Sequence, residues 1–96
     1  MSAGFFESSS TYQEYQEKIR YLERGVRECQ ESLNTIRAGL RQHETGQLCL
    51  EPEIVERLRA LLASSLALEA RYTQKLAAYR EAIQQLLHLN GMAYQR

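Results

Sequence analysis

The sequence has 96 residues, with twelve acidic and twelve basic side chains and a formal net charge of zero. A chain of this length forms one small domain. Hydrophobic residues make up 44% of it and charged residues 25%, a balance that is ordinary for folded chains and excludes extended disorder. Acids and bases alternate along the chain, so there is no basic stripe that would bind the phosphates of a nucleic acid.

Neither a membrane span nor a secretory signal is predicted. The uncharged apolar segment from Ala60 to Leu68 is about half of the ~20 residues that a span requires. The N-terminus lacks the basic region and long apolar run of a signal peptide. Cys29 and Cys49 are predicted to be separated by a helical stretch about 21 Å long, whereas a disulfide needs Cα atoms within ~7 Å. We therefore expect free thiols and a cytoplasmic protein.

The first predicted helix runs from about 11 to 44. Thr11, followed three residues later by Glu14, is a capping box, and Gly46 is suited to cap the other end. The apolar residues between them alternate spacings of three and four, which is typical of a coiled coil. This apolar stripe, the seam of the first helix, consists of Tyr12, Tyr15, Ile19, Leu22, Val26, Cys29, Leu33, Ile36 and Leu40.

A connection over 45–51 leads to a second predicted helix at about 52–89. It begins at Pro52, a residue favoured in the first helical position, and ends before an Asn-Gly pair. Its predicted seam contains a stutter, an extra four-residue step between Tyr72 and Leu76. The seam is predicted to consist of Ile54, Leu58, Leu61, Ser65, Leu68, Tyr72, Leu76, Tyr79, Ile83 and Leu86.

Residues 1–10 and 92–96 are predicted to be a flexible N-terminal tail and a frayed C-terminal tail. Phe5 and Phe6 lie in the first of these, within an otherwise polar segment. They either anchor a partner or fold back on the open end of the helices.

Folding the chain at the connection brings the two seams together, residue by residue. The sequence therefore predicts an all-α fold, a two-helix antiparallel coiled-coil hairpin that completes a bundle with a partner or a second copy. The facing pairs include Leu33 with Leu61, Cys29 with Ser65 and Tyr15 with Tyr79.

Small residues recur every seven positions on one flank of the first helix, at Gly25, Ser32 and Gly39. A glycine inside a helix costs roughly 1 kcal/mol relative to alanine, so the two glycines need a reason. One interpretation is a close backbone approach by the second helix or by a partner. The other is a tolerated defect beneath the side chains of Arg57 and Arg71.

No catalytic, cofactor-binding or metal-binding pattern is found in the sequence. His43 and His88 lie in different helices without cysteines or carboxylates at metal-ligand spacing. A two-helix rod offers no deep pocket for a small-molecule substrate. We expect neither an enzyme nor a cofactor, and Cys49 is either an inert or an exposed, reactive thiol.

The second helix has more apolar residues than a two-stranded coiled coil needs. A surplus of this kind usually marks a partner-binding surface, although leucines and alanines are also commonly exposed without a role. We predict a strip outside the seam that binds a partner helix or a second copy. Its residues are Val55, Leu62, Leu66, Ala70 and Ala77, and Tyr21 of the first helix is a further partner-binding residue.

Residues 65–87 read Ser-Leu-Ala-Leu-Glu-Ala-Arg-Tyr-Thr-Gln-Lys-Leu-Ala-Ala-Tyr-Arg-Glu-Ala-Ile-Gln-Gln-Leu-Leu. This late helix, and the plan of the chain, resemble the small helical chaperones of type III and flagellar secretion systems. The resemblance implies a cytosolic protein that holds a helix of an export substrate against a leucine-rich face. The mycobacterial-type secreted hairpins are of similar length, but they have a Trp-x-Gly turn between their helices. This chain has no tryptophan, so it does not resemble that family.

Two classes of function therefore follow from the sequence. The first is a chaperone or co-chaperone that masks an amphipathic helix of a secreted protein. The second is a structural coiled-coil subunit, either of a larger complex or of a homodimeric four-helix bundle.

Overall fold

The structure, a computed structural model, describes residues 10–94 and, for side chains, residues 11–89. It contains two helices, α1 (Ser10–Glu44) and α2 (Pro52–Tyr94), and no strand within the described range. The helices pack against each other along a rod that measures 68 × 18 × 16 Å. The predicted all-α antiparallel hairpin is confirmed.

The connection is closed by hydrogen bonds at the end of α1 and the start of α2. The N–H groups of Thr45 and Leu48 donate to the carbonyls of Arg41 and Gln42, at 2.9 and 3.1 Å. Gly46 between them has φ of 80°, a left-handed conformation that glycine adopts without a steric cost, so the predicted cap is confirmed.

Two further hydrogen bonds set the path of the chain into α2. The backbone N–H of Leu50 donates to Nδ1 of His43 at 3.2 Å, which ties the connection to the last turn of α1. The Glu51 carbonyl accepts from the N–H groups of Ile54 and Val55, at 3.0 and 3.1 Å, and so begins α2. His43 is therefore a helix-end residue that acts as a hydrogen-bond acceptor.

α2 continues to Tyr94, beyond the predicted end at 89. The Asn-Gly pair does not stop it, because a glycine inside a helix costs only about 1 kcal/mol and long helices tolerate it. Residues 1–9, with Phe5 and Phe6, and residues 95–96 lie outside the described part of the chain, as do the predictions made for them.

The antiparallel alignment is fixed by contacts near the open end of the rod. The rings of Tyr15 and Tyr79 meet edge to face, with their centroids 5.4 Å apart, which confirms the predicted aromatic layer. Such pairs add about 0.5–1.5 kcal/mol beyond the area that they bury. Beside them lies the buried cluster of Ile19, Leu22, Leu76 and Ile83.

The seam of α1 is the one predicted. Leu33 is only 2% exposed, and Leu22 only 5%. Ile19 and Cys29 are also buried, the other predicted seam residues are half-buried, and His43 extends the same spacing by one more step.

The seam of α2 differs from the prediction in its first half. Its residues alternate three and four without a break, so there is no stutter. They are Val55, Leu58, Leu62, Ser65, Glu69, Tyr72, Leu76, Tyr79, Ile83 and Leu86, all buried or half-buried.

Three leucine or isoleucine residues that were predicted to lie in the seam are instead exposed. Ile54, Leu61 and Leu68 are 40%, 53% and 39% exposed. The predicted contact between Leu33 and Leu61 is therefore wrong, and Leu62, one position later, turns toward α1 instead. The cause is helical phase: a shift of one residue rotates a side chain by about 100° around the axis.

Candidate protein-interaction surface

The hairpin has two long sides, each marked by one contact between the helices. On one side the ring of Tyr72 lies over Gly25, where an added Cβ would be 2.7 Å from the ring carbon Cε2. On the other side Nη2 of Arg80 lies 3.3 Å from Oε2 of Glu23. We refer to these as the glycine side and the salt-bridge side.

The contact at Gly25 is with a side chain and not with the backbone of α2. The ring of Tyr72 occupies the space that a side chain at position 25 would take, so neither a close backbone approach nor an arginine cover is what the structure shows there. At Gly39, by contrast, an added Cβ would have no described atom within 4 Å. Nothing in the described part of the hairpin therefore requires a glycine at position 39.

The exposed residues Ile54, Leu61 and Leu68 form a row along α2, which we call the leucine row. They are seven residues apart, and each immediately precedes a seam residue. Gly25, the residue under Tyr72, likewise immediately precedes a seam residue of α1. Since this flank of α1 and this flank of α2 share one side in an antiparallel pair, the leucine row lies on the glycine side.

The glycine side has large apolar residues along α2 and small residues along α1, and we refer to the surface between these two rows as the groove. The leucine row forms the α2 wall and extends about 21 Å from Ile54 to Leu68. Gly25, Ser32 and Gly39 form the α1 wall, and the space above Gly39 is open. A helix laid in this groove would cover the three exposed apolar side chains.

The two edges of the groove carry opposite net charges. Along the α1 edge lie Glu14, Lys18 and Glu28, all exposed, and Tyr21 at 64% exposure. Along the α2 edge lie Arg57, Arg71 and Lys75, also exposed. None of these charged residues forms an ion pair within the described part of the chain, where Glu23–Arg80 is the ion pair found.

The structure separates the residues predicted to form one partner-binding strip. Val55 is only 6% exposed and Leu62 is half-buried, so their predicted place outside the seam is wrong. Leu66, Ala70 and Ala77 are exposed, and helical phase places them on the salt-bridge side. Tyr21 is exposed on the glycine side.

The leucine row itself was missed by sequence reasoning, which assigned it to the seam. The signal that identifies it is the spacing of the last seam residues of α2. Extending the three-four alternation backward from Leu86 leads through Tyr72 to Glu69, Leu62 and Val55. This leaves the leucine row outside.

The remaining chemically distinctive side chains are dispersed. Cys29 is buried and Cys49 is exposed in the connection, and both thiols are free. Within the described residues, no three His, Cys, Asp or Glu side chains are grouped as a metal site would need. No stretch of the described helices is long and apolar enough to cross a membrane.

Comparisons with protein-family models, with curated proteins and with solved structures find no match to this chain.

Proposed function

We propose that this protein is a non-enzymatic binding module that holds an amphipathic helix of another protein chain in the groove on its glycine side. The observation that carries the proposal is the leucine row, exposed by 40%, 53% and 39% beside a seam that is already complete. In this proposal the module acts in the cytoplasm, and it masks its client helix as the secretion chaperones that residues 65–87 resemble do.

The gain on binding comes from apolar surface. Burying such surface contributes roughly 25 cal/mol per Å². The small residues Ser32 and Gly39 let a partner helix approach α1 closely and reach the leucine row, whereas at Gly25 the ring of Tyr72 fills the space. The charged edges would select the direction of that helix, because opposite charges at the rim govern orientation more than affinity.

A permanent structural subunit is the second candidate, and a separate observation favours it. Leu66 and Leu87 are exposed by 40% and 42% on the salt-bridge side, next to the exposed Ala63, Ala70 and Ala77. A subunit enclosed in a larger coiled-coil assembly would have both sides covered. A chaperone would use one side.

Site-specific crosslinking tests the proposal. A photo-reactive amino acid replaces Leu61 in one variant and Leu66 in a matched variant, and each protein is irradiated in a lysate of the organism that encodes it. We expect position 61 to crosslink to a helical segment of a different protein, and position 66 not to. Crosslinks from both positions to the same assembly would favour the structural subunit.

Binding of the purified segment then provides the quantitative check. A peptide of the crosslinked segment should bind the wild-type protein and the double variant Leu66→Glu/Leu87→Glu equally. It should bind Leu61→Glu/Leu68→Glu at least tenfold more weakly, since a charge would face an apolar surface. Equal binding to all three proteins would show that the leucine row is not the binding surface.

A further inference from the structure

We infer that the occupant of the groove in the protein on its own is a second copy of this chain, so that two hairpins form a four-helix bundle with their glycine sides facing. The inference rests on the proposed use of the leucine row for binding a helix. It adds the identity of a partner and the arrangement of the two chains.

The two walls of the groove are complementary to each other. When two copies face each other with α1 of one against α2 of the other, each leucine row lies against the small residues of the opposite copy. Ile54, Leu61 and Leu68 have the same seven-residue spacing as Gly25, Ser32 and Gly39, so the rows match in period. Large side chains of one copy then fill the space left at Ser32 and Gly39 of the other, as close packing requires, while at Gly25 the ring of Tyr72 already fills it.

The charged edges select one of the two symmetric arrangements. With the two-fold axis parallel to the rods, both connections lie at the same end and α1 packs on α2 of the other copy. The acidic edge with Glu14 and Glu28 then faces the basic edge with Arg57 and Arg71. With the axis perpendicular to the rods, α1 packs on α1, and two acidic edges would repel each other.

The heights of the charged residues allow them to pair in the parallel-axis arrangement. Glu28 lies five residues closer to the connection than Glu23, and Arg71 lies nine residues closer to it than Arg80. Glu28 and Arg71 are therefore closer in height, by about 6 Å at ~1.5 Å per helical residue, than Glu23 and Arg80, which are joined at 3.3 Å. Both side chains lean toward the N-terminus of their own helix, which brings such pairs together in an antiparallel arrangement.

The rod offers enough surface for a stable dimer. One face of the rod, 68 Å long and 18 Å wide, projects to roughly 1,200 Å², so a second copy that covered most of its length would reach the ~800 Å² per partner of a standard interface. The leucine row lies near the connection, and Tyr21 continues the exposed apolar surface toward the open end at 64% exposure.

Sedimentation equilibrium of the purified full chain tests the inference. We expect a dimer, with twice the 11.1 kDa mass of the chain, at micromolar concentration. Leu61→Glu/Leu68→Glu should raise the dimer Kd at least a hundredfold while circular dichroism shows unchanged helicity, because two charges would enter the interface core. The matched control Leu66→Glu/Leu87→Glu, on the opposite side, should remain dimeric. If the first variant loses helicity, Leu61→Ala/Leu68→Ala replaces it and should also weaken the dimer.

Charge reversal tests the arrangement. Glu28→Arg alone and Arg71→Glu alone should each weaken the dimer about tenfold, by placing like charges opposite each other. An equimolar mixture of these two variants should form a heterodimer with wild-type affinity, because both ion pairs are restored across the interface. No gain on mixing would overturn the parallel-axis arrangement.

Different results would overturn the proposed function and the second-copy inference. A chain that is monomeric up to millimolar concentration, or a dimer that survives the changes at Leu61 and Leu68, would overturn the second-copy inference. The proposed function would stand if the crosslinked segment of another protein still bound to the leucine row. The opposite result is a dimer that is weakened by Leu61→Glu/Leu68→Glu, together with crosslinks from position 61 only to a second copy. It would support the second-copy inference and overturn the proposed chaperone role.

Discussion

The ring of Tyr72 packs closely against the backbone of α1 at Gly25, so that a Cβ atom at position 25 would clash with the ring. An added Cβ would lie 2.7 Å from Cε2 and 2.9 Å from Cδ2 of the ring. The large residue is on α2 and the small one on α1. Their contact therefore fixes how the two helices are aligned at this level. Gly39, which has the same flank position, lacks such a neighbour.

The two glycines should therefore respond oppositely to alanine. Gly39→Ala should raise the free energy of unfolding by about 0.5–1 kcal/mol, because alanine is the better helix former and the space is open. Gly25→Ala should lower it by about 1 kcal/mol, since overpacking against the ring exceeds the same helical gain. Urea unfolding measures both changes. Every protein compared also carries Leu61→Glu/Leu68→Glu, so that self-association does not contribute.

Removal of the ring is the control for this pair. In a Tyr72→Leu background, Gly25→Ala should lose its destabilising effect relative to Tyr72→Leu alone. A loss of stability that persists there would mean that the tyrosine is not what requires the glycine.

At the scale of the helices, α1 was predictable from sequence and α2 only in part. α1 has a single apolar stripe, so its seam was read correctly from Tyr12 to Leu40. In α2, Leu61 and Leu62 are adjacent and either could begin a plausible stripe. The correct phase puts Glu69 at a seam position, which a simple apolar pattern rejects.

The half-buried position of Glu69 has a physical explanation. The edge of a two-helix seam is close to water, so a glutamate can pack its methylene groups while its carboxylate remains solvated. Pattern reading weighs the whole residue as polar and therefore misses this possibility. For the same reason the candidate binding site could not be predicted. An error in the phase of α2 exchanges its buried and exposed faces: Ile54 was predicted to lie in the seam and Val55 outside it, and the reverse is found.

Asp substitutions at the two adjacent leucines test the phase of α2. Leu62→Asp should lower the free energy of unfolding by several kcal/mol, because an unpaired carboxylate would enter the seam. Leu61→Asp, one position earlier, should change the stability of the monomer by less than about 1 kcal/mol, because the site is 53% exposed. Thermal melts followed by circular dichroism separate the two, with Leu68→Glu in every protein compared so that self-association is weakened while position 61 stays free to vary. A larger loss of stability from Leu61→Asp than from Leu62→Asp would show that Leu61 lies in the seam, as predicted from the sequence.

At the scale of the whole molecule, the rod depends on one seam between two helices. Its middle is weak, because Ser65 and Glu69 lie there opposite α1, and its buried apolar cluster lies toward the open end. A thin rod of this kind buries a small share of its surface, which limits its stability. Coverage of the glycine side by another helix would add the packing layer that the isolated hairpin lacks.

A disulfide across the middle of the rod tests the alignment of the whole hairpin. Cys29 is buried in the seam of α1, and Ser65 is half-buried in the seam of α2, where the register predicted from the sequence places it opposite Cys29. With the exposed Cys49 changed to Ala, Ser65→Cys should form an intramolecular disulfide with Cys29 under mild oxidation. The loop that it closes should increase the free energy of unfolding by about 3–4 kcal/mol.

Non-reducing electrophoresis distinguishes this product from its alternatives. The intramolecular disulfide should give a monomer band that migrates faster than the reduced chain. Leu66→Cys in the same background, one residue away but on the exposed flank, should give no such band because its side chain turns away from Cys29. Equal oxidation of both variants, or disulfides that only join two chains, would show that α1 and α2 are not aligned in this register, and the groove built on that register would lose its two matching walls.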